Sequence, residues 1–195
     1  STLFTGLDQT VNMASELKKE ILSSDEICFV VSFIRKSGLN LIKDELKRVT
    51  NKGKKLRVIT TTYMRATQYE AITELAQMPN TEIRISYNGE EDRLHAKAYL
   101  FLRNSGFHTA YIGSSNISHA ALTKGLEWNL KATQMELPYI ITTVRNSFES
   151  YWNDATFEPF VLGRDDERLK EALNQERLPE IDYSVLDIIR AKDYQ

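Results

Sequence analysis

One cysteine in 195 residues leaves no partner for an internal disulfide. Cys28 lies in the apolar run ICFVVSF, where a buried structural thiol is expected rather than a nucleophile. A chain without disulfides must be held by its core, and a reducing, cytoplasmic setting is the expectation. Long apolar runs are missing as well: nothing approaches the roughly 18 uninterrupted apolar residues that span a bilayer. The amino terminus lacks the basic-then-apolar layout of a signal peptide, so no membrane association is expected. There is no internal repeat and no low-complexity run, so any motif found is present once per chain.

What is present suits a soluble globular fold of moderate size, with 42% hydrophobic and 27% charged residues. The net charge of −2 is unevenly spread. Between Arg35 and Arg65 stand ten Lys or Arg against two acids, whereas from Glu149 onward twelve acids face six bases. The middle of the chain attracts polyanions and the tail repels them, which the overall charge conceals.

The hydrophobic pattern alternates between helical and strand periods. A helix is expected over 8–22, capped by Asp8, then a strand, ICFVVSFI, apolar on both faces as in the interior of a parallel sheet. A helix over 37–53 stopped by Gly53, a strand over 55–63, a helix over 66–78 and a strand over 81–88 continue the alternation. Strands over 93–102 and 108–116 follow as a hairpin, then one or two helical turns at 117–124, a strand over 125–133 and a helix over 138–153. The fold class is α/β, with a mixed, mainly parallel sheet covered by helices. Residues 1–160 form the expected domain, and 161–195 an acidic helical tail or connector to a downstream domain.

The run LHAKAYLFL places His95 and Lys97 two residues apart, so in a strand they share a face at roughly 7 Å. The plain alternative is the solvated side of an edge strand. Downstream, however, come Gly113-Ser114-Ser115-Asn116 and then Glu127, so three neighbouring strands can converge on one bound group. The set suits a phosphate: Lys97 supplies charge, Asn116 and Ser114 supply donors, and Gly113 lets backbone approach an anion. His95 is then free to act as a nucleophile, with its second nitrogen held by a carboxylate such as Glu127.

HAK followed by GSSN resembles the HxK(x)4D(x)6GSxN signature of the phospholipase D superfamily, with Glu127 where the bacterial nucleases of that family carry their acidic partner. The run from His95 to Asn129 is similar to the phospholipase D-like domain at the amino terminus of some bacterial superfamily II helicases, and to metal-independent restriction endonucleases. The resemblance departs at Leu102, where the signature has aspartate, and in the longer spacing to GSSN. It implies a DNA-cleaving phosphodiesterase that needs no metal or cofactor and works through a phosphohistidine. With a single HxK per chain, it further implies a homodimer sharing one site on the two-fold axis. Lys97 and Asn116 would stabilise the phosphorane, Ser114 would support a phosphate oxygen or the lysine, and Glu127 would orient His95. The alternative implied by Leu102 is a non-catalytic module that grips DNA through a degenerate site. A phospholipid substrate is disfavoured, because no basic amphipathic helix or exposed apolar stretch stands out.

Arg35, Lys36, Thr62, Tyr63 and Arg65 follow the first two long strands, where open α/β sheets bind ligands, and with Ser115 they are the candidate nucleic-acid contacts. Lys52, Lys54 and Lys55 close a helix and are better read as dipole partners, worth about 0.5 kcal/mol each. His108 and His119 read as surface or capping residues, and Trp128 and Trp152 as core.

Overall fold

In the computed structural model, which describes residues 1–5, 12–87 and 94–174, the alternating pattern becomes one sheet with helices on both faces. Its strands are β1 (Thr2–Phe4), β2 (Glu26–Val30), β3 (Lys55–Thr61), β4 (Thr81–Ser86), β5 (Ala98–Leu102), β6 (Thr109–Gly113), β7 (Asn129–Thr133) and β8 (Glu158–Phe160). They lie in the order β1-β7-β6-β5-β2-β3-β4-β8. Only β2–β3 and β3–β4 pair in parallel, so the parallel character expected of the sheet resides in its middle and the other five pairings are antiparallel. β5 is an interior strand between β2 and β6, which removes the edge-strand reading of LHAKAYLFL.

The double-sided apolar pattern of β2 and β5 is explained by two cores. Ile27, Phe29, Tyr99, Phe101 and Tyr111 face one core, and Cys28, Val30, Leu100, Leu102 and Ala110 the other. The first core is covered by α1 (Met13–Ser23), α2 (Lys36–Leu39), α3 (Lys43–Thr50), α4 (Tyr69–Ala76), α5 (His119–Thr123) and α7 (Asp166–Asn174). Among the described residues the second is covered by one helix, α6 (Pro138–Trp152), which buries Ile141, Phe148 and Trp152. Each such side chain contributes about 1.5–3 kcal/mol of burial. Arg57 fixes α6 to β3: its guanidinium lies 4.7 Å from the Phe148 ring and 5.2 Å from that of Trp152, and donates to both Glu149 oxygens at 3.1 and 2.6 Å.

Several boundaries shift. Asn12 caps α1, accepting the Ser15 N–H at 2.9 Å, while Asp8 lies outside the described residues. The expected helix over 37–53 is two helices that part at Ile42, whose φ of −126° and ψ of −3° are not helical. The break lets α2 pack on α5 while α3 packs on α1. Gly38 sits so close to the 117–118 backbone that a Cβ would lie 2.4 Å from the Ser118 nitrogen. The short strands β1 and β8 were not foreseen, since three residues carry too little pattern. In the acidic segment, α7 packs Leu169 fully into the first core. Residues 175–195, including the expected helix SVLDIIRAK, lie outside the described residues. Among the described residues no helix is long and apolar enough to cross a membrane.

Candidate active site at one end of the sheet

The carboxyl ends of β2, β3 and β6 and the starts of β5 and β7 meet at the same end of the sheet. The register fixes this: Ala98 pairs with Val30 on one side and Ile112 on the other, and Gly113 pairs with Asn129. Neighbouring strands are about 4.8 Å apart, so residues leaving β5, β6 and β7 fall within about 10 Å of one another.

Asn116 is the best-held member. It is buried, and its side-chain oxygen accepts the N–H groups of Ser32 at 2.9 Å and Phe33 at 3.2 Å. These bonds use up the acceptor and leave its NH2 without a partner among the described residues. Ser32 had no role in the sequence reading, yet its hydroxyl also donates to the Leu94 carbonyl at 2.5 Å. One residue at the exit of β2 thereby ties Asn116 to the segment that carries His95. The Arg35 N–H, donating to the Ile117 carbonyl at 2.8 Å, reinforces the join.

Ser114 is exposed and donates its hydroxyl to Glu127, while the Trp128 N–H donates to that hydroxyl at 3.1 Å. Gly113 has a different reason from the one expected: a Cβ there would lie 2.0 Å from the Trp128 carbonyl, so the glycine admits the neighbouring strand, not an anion. Glu127 therefore engages Ser114 and not His95 in this structure. Its negative charge also helps burial raise the pKa of the Tyr99 hydroxyl, which donates to the Ser115 carbonyl at 2.9 Å.

His95 and Lys97 lie just before β5 and not within it, a correction to the expected strand over 93–102. The segment is still aligned with the sheet, because the Gly113 N–H donates to the Lys97 carbonyl at 3.1 Å. His95 is exposed, and the Lys97 ammonium folds back to donate to the His95 carbonyl at 2.8 Å. The ring beside the imidazole is that of Tyr63, edge-on with centroids 6.0 Å apart. Tyr63 opens a tight turn (Tyr63–Arg65) after β3 in which Met64 and Arg65 adopt φ of 54° and 52°. Left-handed backbone in two consecutive non-glycine residues costs about 1–3 kcal/mol each and clusters at functional sites.

A single exposed imidazole, an ammonium, an amide donor and a hydroxyl–carboxylate pair thus stand at one end of the sheet. The family model described as "Cardiolipin synthase, PLD-like domain" matches residues 17–152, which include all five of these groups.

The chain belongs to the PLD-like family.

Among solved structures it is similar to NucT from Helicobacter pylori, with 18% identity, a TM-score of 0.59, and 82% of this chain covering 98% of that one. The phospholipase D family member Nuc from Salmonella typhimurium shares 18% identity at a TM-score of 0.55, over 75% of this chain and 90% of that one. Polyphosphate kinase from Porphyromonas gingivalis matches at 13% identity and a TM-score of 0.58, over 98% of this chain but 29% of its own length. No curated protein sequence matches the chain. At these identities the structural matches speak for the fold.

Against this PLD-like frame, Leu102 is informative. It ends β5, at the far end from His95, and packs in the α6-side core with 7% exposure. The carboxylate at that end of the strand comes from Asp25, which accepts the Asn104 N–H at 2.7 Å. A leucine at 102 therefore bears on packing at the opposite end of β5 from His95.

The candidate nucleic-acid contacts divide. Arg35 is exposed, with its guanidinium 5.7 Å from the Phe33 ring, Tyr63 lies beside His95, and Arg65 ends the tight turn that Tyr63 opens. Lys36 is engaged with Glu74. Thr62 and Ser115 are turned inward. Thr62 donates toward the Ser86 and Tyr87 carbonyls, and fully buried Ser115 donates to Ala121 at 3.3 Å and accepts from Asn129 at 2.8 Å. Trp152 is core as expected, but Trp128 is 62% exposed. His108 accepts the Arg103 N–H at the β5–β6 turn, and His119 sits beside Thr123 in α5, so neither joins His95. Lys54 pairs with Asp25.

Proposed function

We propose that this PLD-like chain is a metal-independent phosphodiesterase that cleaves DNA through a phosphohistidine, as a homodimer, and serves as the nuclease module of a larger helicase or restriction protein. The observation that carries the reading is the clustering of His95, Lys97, Ser114, Asn116 and Glu127 at the strand ends where open α/β sheets bind ligands. Family membership supports the phosphodiester chemistry, and the resemblance of the HAK–GSSN run supports DNA and the helicase or restriction setting.

In this mechanism a neutral His95 nitrogen attacks phosphorus and forms a P–N bond as the P–O bond to the leaving oxygen breaks. A second, protonated His95 from the other subunit gives its proton to that oxygen. The now neutral imidazole takes a proton from water, whose oxygen attacks phosphorus and expels the first imidazole. Lys97 and the free NH2 of Asn116 carry the charge of the five-coordinate state. Ser114 and Glu127 form a bonded pair beside it, in which Glu127 accepts the hydroxyl's one proton and holds the side chain in place. Arg35, Tyr63 and Arg65 contact the flanking backbone.

The test is incubation of the purified protein with single- and double-stranded DNA in excess chelator, with His95→Ala alongside. Cleavage by the wild type and a loss of at least ~10³-fold in the variant is expected. Binding that weakens steeply with salt, without cleavage, would replace this reading with a non-catalytic DNA-binding module.

A further inference from the structure

Three non-glycine residues among the described ones have left-handed backbone, and two of them, Met64 and Arg65, are consecutive. The third, Asn80, is of a type that accepts this conformation through its short polar side chain. Methionine has no such means, and glycine would adopt the same φ of 54° at no steric cost. The turn keeps its shape because its stem is held from several sides. The Thr62 N–H donates to the Ser86 carbonyl at 3.0 Å and the Arg65 N–H to the Thr62 carbonyl at 2.9 Å. The Tyr63 N–H donates to the Thr61 hydroxyl at 3.1 Å, and the Thr67 hydroxyl to the Thr61 carbonyl at 2.8 Å. On the exit side the Gln68 N–H donates to the Ile34 carbonyl at 2.9 Å, which ties the turn to the chain leaving β2. Thr61, Thr62 and Thr67 are buried, whereas Met64 is 69% exposed. A fixed stem thus carries an apolar side chain out into water at a strained apex. A lone exposed methionine is ordinary on a protein surface, but one held there against its own backbone preference points to a use.

The place of the turn says what that use can be. The Tyr63 ring lies 6.0 Å from the His95 imidazole, and Met64 is the next residue, its Cα about 3.8 Å further along the chain. A base about one or two nucleotides from a phosphate at His95 is then within reach of the thioether. A thioether offers no donor to a phosphate oxygen. It is polarisable and packs well against aromatic rings, and methionine is among the apolar side chains that proteins insert between base steps, partly unstacking them. We propose that Met64 is a specificity-determining contact to an unstacked nucleobase beside the scissile phosphate, so that the protein cuts where a base is unpaired or can be prised from its neighbour. That the partner is nucleic acid rests on the DNA-cleaving reading, while the strained, exposed apex stands independently of it.

The experiment compares a His95→Asn parent, which leaves DNA intact, with the same protein carrying Met64→Gly. Affinity is read by fluorescence anisotropy on a labelled single strand and on that strand made abasic at successive positions. Glycine suits the left-handed backbone, so Met64→Gly should melt no lower than its parent. On the intact strand its affinity should fall about 5-fold, with the salt dependence unchanged because no phosphate contact is lost. At one abasic position the parent should lose the same factor and Met64→Gly nothing more, which is the mark of a direct contact. Equal affinity of the two proteins overturns the proposal. So does a loss that persists at every abasic position or that flattens the salt dependence, since either would place the residue on the backbone. Cleavage of single strands and of paired duplex, by proteins that keep His95, separates the two sources of an unstacked base. A Met64→Gly loss confined to single strands means that the turn reads a base already free, and a loss on paired duplex as well means that it prises one out. Base-dependent binding by a protein that cuts neither substrate would sustain the contact and remove the catalytic reading, and a parent that binds no DNA would remove both.

Discussion

The protein holds two polar clusters of similar size, one inside the fold and one at its rim, and they are built on opposite plans. In the first, Glu16 and Glu20 project from α1 onto the sheet. Glu20 accepts from Thr109 at 2.6 Å and Tyr111 at 3.1 Å and pairs with Lys131 at 2.9 Å and with Arg103. Lys131 also reaches Glu16 at 3.2 Å. Burial pushes the Glu20 carboxyl up, but bonds from Thr109, Lys131 and Arg103 outweigh it and hold the group below the usual carboxylate range. Every charge there has a counter-charge in the same chain. In the second cluster, His95 is exposed, the Asn116 NH2 has no partner among the described residues, and the Lys97 ammonium rests on a backbone carbonyl. The comparison teaches that satisfied polar groups fix the fold, whereas groups held by their backs with one atom left open are arranged for something that arrives from outside.

Substitutions should separate the two plans. His95→Ala has the largest expected effect on cleavage, at least ~10³-fold, with a melting temperature within a few degrees of wild type because the side chain is exposed. A large drop in melting temperature would place His95 in the structural cluster. Glu20→Ala should do the reverse: leaving Arg103 without its buried counter-charge and Lys131 with Glu16 alone costs about 3–5 kcal/mol, read by urea unfolding, while activity per folded molecule is kept. Leu102→Asp is expected to destabilise by about 2–4 kcal/mol, since it puts an unpaired carboxylate into the α6-side core, and to bring no gain in cleavage. Faster cleavage would mean that the residue at 102 acts on the groups at the other end of β5. Glu127→Gln keeps an acceptor for Ser114 and should slow turnover by roughly 10–100-fold with DNA affinity little changed, as single-turnover kinetics would show.

Acid sharpens the same contrast. Glu74, hydrogen-bonded by Lys36 and Lys47, has its pKa lowered to about 2, and Glu16 is lowered chiefly through Lys19. A depressed folded-state pKa gives stability that is present above the unfolded value and lost as pH falls. Thermal melts should therefore be flat near neutrality and decline from about pH 4.5 toward about pH 2. Stability that rises on acidification would contradict the role given to these carboxylates.

How much of this was legible in the sequence depended on range. Apolar patterns of five or more residues identified β2 to β7, and helical spacing identified α1, α4 and α6, because a side chain's face follows from local backbone geometry. The HAK and GSSN motifs identified His95, Lys97, Ser114 and Asn116, since each is a short run with its own chemistry. Other features required the folded chain. Whether Glu127 meets Ser114 or His95, that Ser32 anchors Asn116, that Ser115 is buried and Trp128 is not, and that Leu102 packs in the α6-side core are all facts of the folded chain. They are set by register between segments up to 84 residues apart, as from Ser32 to Asn116. The sequence by itself determined which residues could do chemistry and which local structures carry them. The tertiary structure decided which of those groups are satisfied by their neighbours and which are left open, because satisfaction depends on distances between strands that no single strand encodes.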